Sequence, residues 1–342
     1  MKQEYEALFT PWKVGNLEIK NRIVLAPMGG TCIFGWMEPN HFDTEAAKLL
    51  KNVADNNCGL VIPGIAPIRD VLGRKWLYQN KGKFKQLKEY MDEFHKTGAK
   101  MFIQMTAGFG RSMALSDSLA MLATNKVLGR VASPVIDVEY LTAAPSVLPN
   151  RWHDKVTCRE VTKKEIADIV YAYGETARLC KEAGVDGVEV HAVHEGYLLD
   201  QFTLKYTNQR KDEYGGSFEN RYRFAVEIVQ EIKKKCGRDF PVSLRYSVVS
   251  KTKAFREGAM PGEDYIEIFK KYVQPLYEEG DIVSSSEKII ALCQGRVVKR
   301  EELKIGFWAK FLSKFASHPD TGVGVGETIK MQYAISKVGL PK

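Results

Sequence analysis

The chain contains no run of roughly 18–20 apolar residues, the length a membrane-spanning helix requires. Its first residues, MKQEYEALF, are polar and lack a signal-peptide core, so a cytoplasmic protein is expected. Six cysteines are scattered at positions 32, 58, 158, 180, 236 and 293, and none forms a C-x-x-C pair. Iron–sulfur and zinc sites need clustered thiolates, so neither is expected, and the thiols read as reduced and structural. The net charge is +8, yet the basic residues are dispersed and the densest tract is KKK at 233–235. A solvated helix face accounts for that run, and no nucleic-acid partner is expected. Phosphate-loop patterns are missing as well: the GVGVG run at 322–326 fits neither G-x-G-x-x-G nor G-x-x-x-x-G-K and reads as a glycine-rich turn.

What the chain does contain is a series of short, nearly continuous apolar runs. They are NRIVLAPM (21–28), GLVIPGI (59–65), KMFIQM (100–105), DGVEVH (186–191) and PVSLRYS (241–247). Runs of this kind suit parallel strands covered on both faces. Helical segments separate them: EAAKLLKNVADNN, KQLKEYMDEFHKTG, IADIVYAYGETARLCKEAG and NRYRFAVEIVQEIKKKCG. Thr162 to Glu165 forms a capping box for the third, whose apolar face is Ile166, Ile169, Val170, Tyr173 and Ala177. Gly184 and Gly237 follow the last two helices as stops. Alternating strands and helices predict an α/β fold with right-handed crossovers, either an open doubly wound sheet or part of a (β/α)8 barrel. Residues 106–161 lack periodicity and read as an excursion over the strand ends.

Polar, reactive side chains sit where these strands should end: Gln104, His191 and Arg245. Both α/β architectures build their sites at that end. The stretch GVDGVEVHAVHEGYLLDQ adds His194, Glu195 and Tyr197 directly after His191. Two imidazole N–H groups converging on one oxygen would polarise a carbonyl, and a phenol would supply a proton. That set suits hydride addition to an activated C=C. A zinc-dependent hydrolase is a third reading, resting on H-x-x-H alone.

The sequence up to about 267 resembles the Old Yellow Enzyme family of flavin-dependent ene-reductases. The likeness lies in LFTPWKVGNLEIKNRIVLAPM, FIQMTAGFGR and AGVDGVEVHAVHEGYLLDQFTLKYTNQRKDEYGGSFENRYRF, with PVSLRYS following. It is greatest toward the branch of 2,4-dienoyl-CoA reductases and bile-acid 3-oxo-Δ4 steroid oxidoreductases. The resemblance implies a (β/α)8 TIM-type barrel, FMN, and hydride transfer from NAD(P)H to an α,β-unsaturated carbonyl such as a 3-oxo-Δ4 steroid or an enoyl-CoA. Carried over by position, Pro27 and Met28 would line the isoalloxazine ring and Gly64 would lie near its polar edge. Gln104 would bond its pyrimidine side, and Arg245 would neutralise charge near N1. His191 and His194 would hold the substrate carbonyl, and Tyr197 would donate the proton. Glu195 departs from the commoner pattern, in which Gly follows the second histidine. DEYGGS-x-ENR reads as structural, fixing a loop and starting the next helix.

After residue 267 the expected last three strands, with their phosphate-gripping loops, find no match, so an incomplete barrel over 1–267 is expected. Residues 268–342 resemble a fragment of the gamma-glutamyl ligase family that extends a deazaflavin coenzyme, through GDIV, SEKI and QGR. The junction falls within the predicted helix YIEIFKKYVQPLYEEG. Weak FMN retention and low activity follow from this reading. The alternative is a catalytically silent hybrid that associates with a partner. Oligomeric state is left open by the sequence.

Overall fold

The computed structural model describes residues 3–36, 40–70, 74–192, 196–246, 303–313 and 328–338. The chain divides into two compact units, Met1–Val248 and Val249–Lys342. The first is an α/β unit built on five parallel strands: β1 (Val24–Leu25), β2 (Leu60–Val61), β3 (Lys100–Thr106), β4 (Gly187–Ala192) and β5 (Val242–Tyr246). They lie side by side in chain order, each paired with the next. All five predicted strands are present, and this sequential parallel order is that of a TIM-type barrel.

Four helices connect them: α1 (Thr44–Asp55), α2 (Lys81–Phe94), α3 (Lys163–Glu182) and α4 (Phe218–Cys236). Three of them, α1, α3 and α4, begin at a side-chain cap. The Asp43 carboxylate accepts from the backbone N–H groups of Glu45 and Ala46, and Ser217 accepts from that of Asn220. At α3 the predicted capping box is present in both directions: Thr162 Oγ1 accepts from Glu165 N, and Glu165 accepts from Thr162 N. Ile166, Ile169, Tyr173 and Ala177 on its predicted apolar face are fully buried, and Val170 is half-buried. Gly184 follows with φ +91°, where the helix stops.

Alternate residues of the strands face opposite ways. Met101, Ile103 and Met105 of β3 and Val188, Val190 and Ala192 of β4 join the helices in one large core. Each such buried aliphatic side chain contributes about 1.5–3 kcal/mol. On the other face Phe102, Leu60 and Ile62 pack with Ile19 of an N-terminal hairpin, Trp12–Val14 against Leu17–Ile19. That hairpin is anchored by the Trp12 indole donating to Asn21 O at 2.7 Å. It packs on that face near the start of the second and third strands.

The segment 106–161 has more internal structure than its sequence suggests. It contains helices Asp117–Thr124, Lys126–Ala132 and Val138–Leu141, then a three-stranded sheet of Ala143–Ala144, Leu148–Pro149 and Thr157–Glu160. It closes over the loops after β2 and β3. Arg69 pairs with Asp137 and lies 4.1 Å over the Tyr140 ring, while the Tyr140 hydroxyl donates to Ala107 O at 2.7 Å.

The motif DEYGGS-x-ENR is structural, as expected. Asp212 accepts from the Arg210 guanidinium, and the buried Arg221 donates to Thr203 O and Gly216 O. In the second unit the described residues form helices Phe307–Leu312 and Thr328–Val338, joined by Gln332 accepting from Gly306 N at 2.8 Å. The proposed junction helix and the GVGVG run lie outside the described residues. Among the described residues no helix is long and apolar enough to cross a membrane. The five described cysteines are buried and free of disulfides. Burial pushes the thiols of Cys58, Cys158, Cys180 and Cys236 up, which fits inert packing groups.

Candidate active site

The register of the parallel strands determines which polar groups meet. Glu189 on β4 is level with Gln104 on β3 and with Ser243 on β5, and His191 is level with Arg245. Register partners share a face, as do residues two apart on one strand. Gln104, Glu189, His191, Ser243 and Arg245 therefore project into the same interior, above the Phe102 layer. They form two tiers. In the lower, the Glu189 carboxylate accepts from Gln104 Nε2 at 2.7 Å and from Ser243 Oγ at 3.0 Å, tying three strands together. In the upper are His191, 2% exposed, and Arg245, half-buried near the strand ends. The three predicted rim residues thus share one end of the sheet.

Tyr197 stands beside His191. Its ring meets the imidazole edge-on, with centroids 4.1 Å apart. It precedes the short helix Leu198–Thr203, where Leu198 N donates to Gly108 O at 2.9 Å and so joins the loop after β4 to the loop after β3. Burial pushes the Tyr197 phenol up to about 12. Cys32 adds to the rise and the Arg245 cation opposes it. The phenol is therefore a neutral O–H throughout the physiological range. His194 and Glu195 lie outside the described residues.

The remaining predicted residues gather on the loops after β1 and β2. Pro27 is half-buried and Met28 is 42% exposed. Gly64 is held against them: its N–H donates to Thr31 Oγ1 at 2.8 Å, and Thr31 Oγ1 donates to Met28 O at 2.9 Å. A Cβ on Gly64 would come within 2.4 Å of Met28 O and 2.6 Å of Cys32 Sγ, so glycine alone fits this close approach. Trp36, further along the chain after β1, lies 6.3 Å from Phe109, whose ring packs against Tyr197, which places this part of the chain at the same rim.

Sequence reasoning misses four residues of this assembly. Glu189 and Ser243 join it through the register; the visible sign was a lone carboxylate inside the apolar run DGVEVH. Phe109 packs against Tyr197 with centroids 5.3 Å apart. Gln201, fully buried, grips the Phe109 turn: Nε2 donates to Phe109 O at 2.9 Å, and Oε1 accepts from Arg111 N at 2.9 Å. Gly110 in that turn has φ +56°, and a Cβ there would sit 2.1 Å from Gln201 Oε1.

A flavin ring presents a pyrimidine edge that takes amide hydrogen bonds and a site favoured by a nearby cation. An amide (Gln104) and a guanidinium (Arg245) at one rim, beside a loop held close by Gly64, fit those needs.

Known proteins share this architecture. The chain is 43% identical over 276 residues to a cinnamate reductase of Clostridium sporogenes, covering 78% of this chain and 38% of that protein. It is 32% identical over 246 residues to an NADPH dehydrogenase of Bacillus velezensis, covering 70% and 63%. The fold superposes on morphinone reductase in complex with tetrahydroNAD with a TM-score of 0.52 and 26% identity, over 70% of this chain and 63% of that one. The chain thus spans well under half of the first relative and under two thirds of the other two. The pattern of the NADH:flavin oxidoreductase / NADH oxidase family matches residues 7–329, past the point at about 267 where the resemblance read from the sequence was expected to end. With five parallel strands in family order and that match across most of its length, the chain belongs to the NADH:flavin oxidoreductase / NADH oxidase family.

Proposed function

We propose that this chain reduces the C=C of an α,β-unsaturated carbonyl compound, using FMN and NAD(P)H. The observation that carries the reading is the edge contact of Tyr197 with His191, level with Arg245 at the strand ends. In this reading His191, with His194, donates hydrogen bonds to the substrate carbonyl oxygen and stabilises the negative charge that grows there. Tyr197 delivers a proton to the α-carbon from a phenol that stays protonated at working pH. Gln104 and Arg245 would hold the polar edge of the flavin, and Glu189 fixes Gln104 by taking one of its amide N–H groups. Pro27, Met28 and Gly64 would line the flavin ring. FMN, when bound, supplies the hydride.

Similarity to a cinnamate reductase favours an enoate substrate over the steroid and enoyl-CoA classes that the sequence motifs suggest. The division of the chain at 267 and a gamma-glutamyl-ligase-like segment over 268–342 belong to the same proposal, supported by the GDIV, SEKI and QGR stretches. Weak FMN retention belongs to it too, supported by the lack of motifs for the phosphate-gripping loops after residue 267. The test is a purified sample, with and without added FMN, examined by visible absorption and by NAD(P)H-dependent turnover of enones and enoates. Turnover that depends on added FMN supports the reading. A protein that takes up no FMN and reduces no such substrate would favour the silent alternative.

A further inference from the structure

Glu189 is 6% exposed and stands level with Gln104 on one neighbouring strand and Ser243 on the other. Each of its carboxylate oxygens accepts one hydrogen bond: Oε1 from Gln104 Nε2 at 2.7 Å, and Oε2 from Ser243 Oγ at 3.0 Å. A carboxyl group that accepts at both oxygens is being used in its ionised form. Both donors are neutral, so among the described residues this buried charge is hydrogen-bonded but has no cation against it. Joining three strands does not require a charge. A glutamine of the same length could accept from Gln104 and donate to Ser243 Oγ. What the charge adds is a field at the Gln104 amide and at the tier above, where Arg245 follows two residues after Ser243 on the same face. Unlike charges in water, charges in a protein interior act on their neighbours with little screening.

We propose that Glu189 is a positioning residue that sets the reducing power of the bound flavin. The inference rests on the reading in which Gln104 and Arg245 hold the polar edge of FMN. Hydride transfer from NAD(P)H brings two electrons and one proton to the ring, and the negative charge left on the ring is opposed by a nearby anion and favoured by a nearby cation. Glu189 acts by two routes. Its charge repels the reduced ring directly. It also acts through Gln104: an amide that gives one N–H to an anion is a weaker donor through its other N–H, so it steadies a negative edge less well. Both routes make the reduced flavin a stronger hydride donor toward the substrate C=C. Arg245 works in the opposite sense, and the two charges together set the balance.

The experiment uses the full chain with added FMN. Glu189→Gln keeps the side-chain length and both hydrogen bonds and removes only the charge. Equilibration with reference dyes should show its reduced-to-oxidised ratio at a fixed potential raised by roughly 10- to 100-fold, equivalent to about 30–60 mV for a two-electron couple. In stopped flow, flavin reduction by NAD(P)H should quicken and reoxidation by an enone should slow. Loosened packing would not drive the two half-reactions in opposite directions. Ser243→Ala removes one hydrogen bond and leaves the charge, so it should lower stability while moving the ratio by less than about threefold. Glu189→Met, a second charge-free side chain of similar length, should raise the ratio in the same direction and serves if Glu189→Gln does not fold. A ratio unchanged on removing the charge, or a shift no larger than that of Ser243→Ala, overturns the inference and leaves the FMN reading standing. A wild-type chain that takes up no added FMN overturns both.

Discussion

The Gln104 amide donates to the Glu189 carboxylate across 2.7 Å between two neighbouring parallel strands, inside the sheet's interior. The same carboxylate accepts from Ser243 on the strand beyond. A buried acceptor with two donors holds three strands and sets the Gln104 amide. Glu189→Leu would leave both donors without that acceptor at a cost of about 1–3 kcal/mol. Chemical denaturation should show a loss of that size, and FMN titration by fluorescence should show weaker binding. Glu189→Gln keeps an oxygen acceptor and should fall between the variant and the wild type. A Glu189→Leu protein as stable as the wild type would deny the carboxylate its bridging role.

Tyr197 offers a direct test of the acid step. Tyr197→Phe should slow enone reduction by roughly 10²–10⁴ while flavin reduction by nicotinamide changes little, as measured in separate stopped-flow half-reactions. Burial pushes the phenol up to about 12, above its ordinary value of 10. The rate profile should therefore show no alkaline limb from this group between pH 7 and about pH 10.5. A limb near pH 10 that vanishes in Tyr197→Phe would contradict the assignment.

Helix α3 depends on Glu165. Burial raises its carboxyl, but hydrogen bonds from Arg159 and the Thr162 backbone N–H and the Arg159 charge outweigh that and bring it down to about 2. A carboxylate lowered in this way stabilises the fold at pH above its ordinary value of 4.5, and that stabilisation is lost as pH falls toward 2. Urea denaturation should show Glu165→Gln less stable than the wild type at pH 7, with the gap narrowing by pH 3. Thr162→Ala should cost about 1 kcal/mol through the lost cap.

The turn that carries Phe109 tolerates no side chain at Gly110, because φ is +56° and a Cβ would meet Gln201 Oε1 at 2.1 Å. Gly110→Ala should lower the melting temperature by several degrees, consistent with roughly 1–3 kcal/mol of strain. A melting curve matching the wild type would mean that Gln201 can move aside, and that its grip on the turn is loose.

The five strands were legible because each carries a short, nearly continuous apolar run; the three central ones are buried almost throughout, and DGVEVH ends in the His191 that belongs at a rim. Helix α3 announced itself through Thr162 and Glu165, three residues apart and therefore visible in any short window. The excursion was opaque for the opposite reason. Ala143–Ala144 and Leu148–Pro149 are strands two residues long, which no period can reveal, and their partner Thr157–Glu160 lies downstream. The site divides in the same way. His191, Tyr197 and Arg245 can be named from their chemistry and their place at strand ends. Glu189 is found only once the register puts it level with Gln104. Gln201 and Phe109 are 92 positions apart and meet through the fold alone.

The hairpin that seats Ile19 against Leu60, Ile62 and Phe102 lays a dry floor beneath the polar tiers. The Glu189 carboxylate and its two donors therefore sit next to hydrocarbon, where their hydrogen bonds are electrostatically stronger than they would be in water.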